Sequence, residues 1–157
     1  MKIVKNILIS ISVVLVLAQF FGPKKNDGDM ATVAAFMTET NPPEDVKKIL
    51  ETACFDCHSS KTSYPWYNAI TPVNYYLEEH IKEGQKHLNF SKWNAYSLKK
   101  KEHKMDELYE EVEAGEMPLN SYTWLHTDAS LTTKQIAAVV TWGKKVQADY
   151  KQQMRTE

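Results

Sequence analysis

Cys54-Phe55-Asp56-Cys57-His58 holds the only two cysteines of the 157-residue chain, and a histidine follows the second one directly. Cys-x-x-Cys-His is the spacing of c-type haem attachment. On one helical turn, positions i, i+3 and i+4 share a face. Both thiols then reach the two vinyl groups on one porphyrin edge, while the imidazole of His58 stands beneath the iron as proximal ligand. The stretch therefore predicts one haem c, attached through Cys54 and Cys57 with its iron on His58.

Other uses of a cysteine pair fit less well. A structural zinc site takes four Cys or His ligands, commonly a second Cys pair or a closely spaced His pair. This chain has no third cysteine, and His80, His87, His103 and His126 show no i,i+4 pairing. A thioredoxin-like pair calls for a preceding strand and βαβ units, whereas the residues before Cys54 carry helical periodicity. A disulfide across two intervening residues would remove little chain entropy.

Outward from the motif, the pattern is helical throughout. Asn41-Pro42-Pro43-Glu44 reads as a helix start, with Asn41 as cap and two acids in the first turn. Val46, Ile49, Leu50 and Ala53 form an apolar stripe that leads into the motif. A second helix is expected from Thr71-Pro72 to about Lys82, stopped by Gly84, with Val73, Tyr76, Leu77, His80 and Ile81 on one face. The third is capped by Ser97 and runs to Ala114, turning Leu98, Met105, Leu108, Tyr109 and Val112 inward, with Gly115 as its C-terminal cap. Thr132 and Gln135 make a capping box for the last helix, and Leu131 with Ile136 a hydrophobic staple. Its stripe includes Gly143, which costs about 1 kcal/mol of helix propensity and predicts a close crossing, assigned to the helix before Cys54. The loop from Ser59 to Thr71 carries Tyr64, Trp66 and Tyr67. A carbonyl near Pro65 is the expected acceptor for His58 Nδ1–H.

Haem iron in electron carriers commonly takes methionine opposite histidine. Met117 is the best placed, on a Gly115/Pro118-braced loop after enough chain to wrap the cofactor. Met105 falls in a helix stripe and reads as core. His80, on the apolar side of its helix, is the alternative distal ligand.

Residues 1–21 have the build of a signal peptide or membrane anchor. Lys2 and Lys5 precede an apolar run, short for a span if counted from Ile7 to Phe21 and longer, at residues 3–21, if counted from Ile3. The expected organisation is leader or anchor at 1–21, linker at 22–41, haem domain at 42–150 and frayed tail at 151–157. Export to the periplasmic or cell-envelope face follows, with membrane attachment through residues 3–21 if the leader is kept. Without the leader, 17 basic and 20 acidic residues leave a net charge of −3. That mild balance, with no basic stripe interleaved with aromatics, points away from nucleic acid.

Taken in order, several stretches resemble an exported mono-haem family, the bacterial haem-binding domain family. They are Ala53 to Ser60, Tyr64-Pro65-Trp66-Tyr67, Thr71-Pro72-Val73, Glu83-Gly84, His87 to Trp93 and Gly115-Glu116-Met117-Pro118, within about residues 43–145. The motif helix, the late Met-Pro and the C-terminal helix also look like class I cytochrome c. The resemblance implies an all-α, cytochrome c-like bundle of about four helices around one covalent haem, with Cys54, Cys57, His58 and Met117 as attachment and ligand residues. The expected function is one-electron transfer with unidentified redox partner proteins, and no acid–base or nucleophilic constellation calls for an enzyme. A five-coordinate haem acting as gas sensor or peroxidase-like centre, and a bis-histidine module using His80, are the alternatives.

Overall fold

A computed structural model describes residues 1–156. Among them the chain is all-helical, with no strand beyond an isolated bridge between Asp27 and Lys61. The α-helices are α1 (Lys2–Ala18), α2 (Ala34–Thr40), α3 (Glu44–Ala53), α4 (Phe55–His58), α5 (Val73–His87), α6 (Leu98–Ala114), α7 (Asn120–Thr123) and α8 (Thr133–Thr156). Eight helices thus stand where about four were expected. Four of them, α3, α5, α6 and α8, occupy the expected positions.

The signals at the ends of α6 and α8 act as read. Ser97 Oγ accepts from Lys100 N–H at 3.3 Å, and Gly115 closes α6 in the left-handed region at φ 75°. Thr132 and Gln135 exchange bonds of 2.9 and 3.3 Å at the start of α8. Other boundaries move. Asn41 does not cap α3; it ends α2 in the left-handed region at φ 41°, and Pro43 precedes α3 instead. The last helix continues through the expected tail to Thr156. One contact holding that extension is Lys151, which reaches Glu102 on α6 at 3.4 Å. Glu157, the tail's last residue, lies outside the described residues.

The core is built where α6 packs along α8, the most extensive helix pairing in the chain. Met105, Leu108, Tyr109 and Val112 from α6 meet Val139, Val140, Trp142 and Val146 from α8. Gly143 permits this approach, since a Cβ there would lie 2.9 Å from the Cβ of Tyr109. The close crossing is therefore with α6, not with the helix before Cys54 as its small residues suggested. α3 also contacts α8, but a bulky Tyr109 rather than Ala53 fills the notch.

Residues 30–40, read from the sequence as part of the linker, form a 3-10 turn and α2, with Phe36 fully buried. The Phe36 ring lies 4.4 Å from Phe90, 4.9 Å from Trp93 and 6.1 Å from Trp142, centroid to centroid. Trp142 Nε1–H donates to the Thr40 carbonyl at 3.1 Å, satisfying a carbonyl at the end of α2. Tyr150 accepts from Trp93 Nε1–H at 3.2 Å and donates to Glu39 at 2.7 Å, so α2 is tied to α8 by polar as well as apolar contact.

α1 carries no buried residue. No helix among the described residues is long and apolar enough to cross a membrane.

Candidate functional site

The cysteine motif does not continue the preceding helix. α3 ends at Ala53, and Cys54, at φ −124° and ψ −44°, breaks the chain before the single turn α4. The break is bridged by Cys54 N–H donating to Leu50 O at 3.1 Å, and the next turn closes with His58 N–H on Cys54 O at 3.0 Å. Cys54, Cys57 and His58 therefore still share one turn, as their spacing requires. The single helix expected from about Pro43 to Cys57 is replaced by two.

His58 is fixed from α5. Its Nδ1 lies 3.0 Å from the carbonyl oxygen of Leu88. A carbonyl only accepts, so Nδ1 carries the proton and Nε2 keeps the lone pair that a metal would use. Burial holds the imidazole pKa below its ordinary value, which favours that neutral, ligating form. Pro65 is not the partner; its carbonyl accepts Asn68 N–H.

Gly84 makes this possible. It does not stop the second helix, as its identity suggested, but lies within α5 where that helix crosses α4. A Cβ at Gly84 would sit 3.0 Å from the carbonyl oxygen of Cys57 and 3.1 Å from its Cβ. Glycine lets α5 pass this closely and deliver Leu88 O, one turn on, to His58. Gly84→Leu is expected to cost about 1–3 kcal/mol by overpacking and to lower the haem content per polypeptide. Denaturant titration and pyridine haemochrome assay together check this; wild-type values in both would show that the crossing does not support the motif.

A cavity of about 420 Å³ opens beside the motif, within the range of about 300–1,000 Å³ usual for small-molecule sites. Cys54, Cys57 and His58 line it together with Leu50, Leu88, Phe90, Leu108, Val112 and Met117. Its walls are mainly apolar, and Glu79, His80, Glu83 and His87 give it a polar rim. Met117 is half-buried against the core. The backbone N–H groups of Glu116 and Met117 both donate to Glu111 O, at 2.9 and 3.1 Å, so the cap of α6 fixes where Met117 leaves the helix.

His80 lines the same cavity, but not from an apolar helix face. The buried side of α5 is Asn74 and Ile81, while Tyr76 is 56% exposed. The His80 ring lies 4.1 Å from that of Tyr76, tilted by 44°, with Nδ1 2.9 Å from the Tyr76 carbonyl. The expected face is rotated because Gly84 and Leu88, not Tyr76, meet the motif. Met105, read as core, is fully buried.

The thiols are free. Burial, with Cys57 beside it, pushes the Cys54 thiol up to about 12. Burial and the neighbouring Asp56 push Cys57 up to about 11. Such thiols are poor nucleophiles for disulfide exchange, which needs accessible thiolate. No group of three or more His, Cys, Asp or Glu among the described residues is arranged to hold a metal ion. These donors fit a haem better than zinc: two thiols and one imidazole with a free Nε2 face a largely apolar hollow, where a porphyrin supplies the remaining iron ligands itself.

Sequence reasoning missed the network that braces the motif from the other side. Asp56, between the cysteines, accepts from Ser63 N–H at 2.8 Å and from Tyr122 O–H at 2.9 Å. Tyr122 stacks on His126 at 4.2 Å, and His126 Nε2 lies 2.7 Å from the Tyr67 hydroxyl. Burial, reinforced by the Asp56 charge, holds the Tyr122 hydroxyl above its usual range, so it stays a donor. Tyr122 and His126 stand i,i+4, a spacing visible in the sequence; their partners Asp56 and Tyr67 are not. Of the loop aromatics, Tyr64 accepts Asn26 N–H at 2.6 Å and Trp66 points to solvent, so none of the three lines the cavity.

The family model described as "Haem-binding domain" matches residues 13–145. No curated protein and no solved structure matches the chain.

Proposed function

The chain belongs to the haem-binding domain family, and from that premise we propose that it is a c-type cytochrome domain acting as a one-electron carrier at the cell envelope. The observation that carries the reading is that Cys54, Cys57, His58 and Met117, from the break between α3 and α4, from α4 and from the loop after α6, all line one cavity. Bound there through Cys54 and Cys57, haem supplies Fe(III)/Fe(II) chemistry, and a thioether paired with imidazole favours the ferrous state. His58, with Nδ1 held by Leu88, and Met117 are the residues that would hold the iron, through Nε2 and the thioether sulfur, beside an apolar wall of Leu50, Phe90, Leu108 and Val112. An iron held by protein on both sides would suit electron transfer better than substrate binding, so the domain is read as a carrier rather than an enzyme, serving redox partner proteins.

The test of attachment is direct. The protein, expressed with c-type maturation machinery, is denatured in acidified organic solvent, and the haem is expected to stay with the polypeptide. Clean extraction of the haem would overturn covalent attachment, and stoichiometric zinc in its place would favour a metal site. One observation favours a second reading. His80 shares the cavity and also carries its proton on Nδ1, against the Tyr76 carbonyl, which leaves Nε2 free for a bis-histidine haem.

A further inference from the structure

We propose that the face formed by Phe20, Phe21, Trp66, Ile70 and Tyr75 lies on an anionic phospholipid bilayer, and that the join between α1 and the domain fixes this orientation. The proposal rests on α1 being a retained, lipid-embedded segment, and adds which side of the domain meets the lipid.

α1 does not simply trail from the domain. The Gln19 side chain pairs with the backbone of Thr71 in both directions: its Nε2–H donates to Thr71 O at 3.1 Å, and its Oε1 accepts Thr71 N–H at 2.9 Å. Thr71 Oγ1–H donates to Phe21 O at 3.2 Å. Residues 22–25 then share a shallow hollow with Tyr64, Asn68 and Asn74. The end of α1 is thus clamped to the loop before α5.

The residues near the two ends of that clamp in the sequence are apolar and open. Phe20 is 80% exposed, Phe21 70%, Trp66 80%, Ile70 42% and Tyr75 45%. Ile70 is next to Thr71 in the chain, and Tyr75 follows one turn later, its N–H on Pro72 O. Lys24 and Lys25 flank them, and the nearest carboxylate in the hollow, Glu78, is taken up by Lys82 at 2.8 Å. Aromatics beside lysines at the end of an apolar helix are the side-chain set found at membrane–water interfaces.

The test uses the full-length, haem-loaded protein in vesicles of phosphatidylcholine and phosphatidylglycerol carrying two photoactivatable lipids, one with a diazirine in the acyl chain and one with it at the headgroup. After irradiation, adducts are mapped by peptide mass spectrometry. The expected result is acyl-chain labelling of α1 and headgroup labelling of residues 64–76, with neither on α6 or α8. Gln19→Ala, which unpicks the clamp, is expected to reduce the labelling of 64–76 several-fold while α1 stays labelled. Labelled α1 with unlabelled 64–76 would overturn the face while leaving attachment intact. No labelling of either would remove attachment, and the proposal with it. Protection of 64–76 without lipid adducts, alongside cross-linked dimers, would assign the face to a second copy and overturn the proposal.

Discussion

Phe36→Ala is expected to destabilise the domain by about 3–5 kcal/mol, a large share of the roughly 5–15 kcal/mol that holds a domain folded. Phe36 is fully buried, and its ring meets Phe90, Trp93 and Trp142 in tilted and edge-on geometries. These three neighbours come from a 3-10 segment and from α8, so the cavity left by truncation cannot be closed by one helix shifting. The damage also has a route to the site. Phe90 stands between Phe36 and the motif, 5.4 Å from Phe55 and 6.2 Å from His58, and lines the cavity. Denaturant unfolding of the haem-loaded variant should show a lower midpoint with an unchanged slope, and haem content should fall with it. A loss below about 1 kcal/mol, well under the range for a buried Phe, would show that α2 is an ornament on the domain and not part of its core.

What the sequence made legible, and what it hid, divides along a physical line. Side-chain signals that act locally could be read. The capping box at Thr132 and Gln135, the Ser97 cap and the Gly115 stop need only residues within one turn, and each makes its bond. The one-turn placement of Cys54, Cys57 and His58 follows from helical spacing even though the helix itself breaks at Cys54. Glycine inside a helix was the recurrent trap. Gly84 and Gly143 were both seen, but identity alone does not tell a helix stop from a close crossing, nor name the crossing partner. Gly84 proved to face Cys57, and Gly143 to face Tyr109. Backbone acceptors were out of reach for a related reason: every residue has a carbonyl, so nothing in Leu88 marks it as the partner of His58. Phe36 lies in residues 22–41, read as linker because of the breakers around them; the apolar stretch Ala31 to Met37 within it suggested no more than one docked turn or strand. Nothing in the motif's spacing assigns Asp56 a partner. Only the fold brings Tyr122 to it across 66 residues.

The distal ligand decides between the two readings of the site, and Met117→Ala is expected to change the iron's spectrum where His80→Ala does not. Both side chains line the cavity, so proximity alone does not choose. Their surroundings differ. Met117 packs against the core cluster, on a backbone held by two bonds to Glu111 O. His80 stands at the polar rim with Glu79, Glu83 and His87, tilted against a Tyr76 that is itself 56% exposed. A soft thioether loses little by leaving water for an apolar wall. An imidazole drawn inward from the rim must give up its contact with the Tyr76 ring and its bond to the Tyr76 carbonyl, about 0.5–1.5 kcal/mol for the hydrogen bond alone. Ferric haem with methionine as ligand has a weak long-wavelength charge-transfer band that bis-histidine haem lacks. The band is expected in the wild type and in His80→Ala, and its loss is expected in Met117→Ala, with high-spin absorption in its place and a lower reduction potential. If the wild type lacks the band and only His80→Ala loses its low-spin spectrum, the thioether is not on the iron and the bis-histidine reading replaces it. A wild type that is high-spin and binds carbon monoxide rapidly would instead leave the sixth position open, and the carrier function would give way to a sensor or peroxidase-like one.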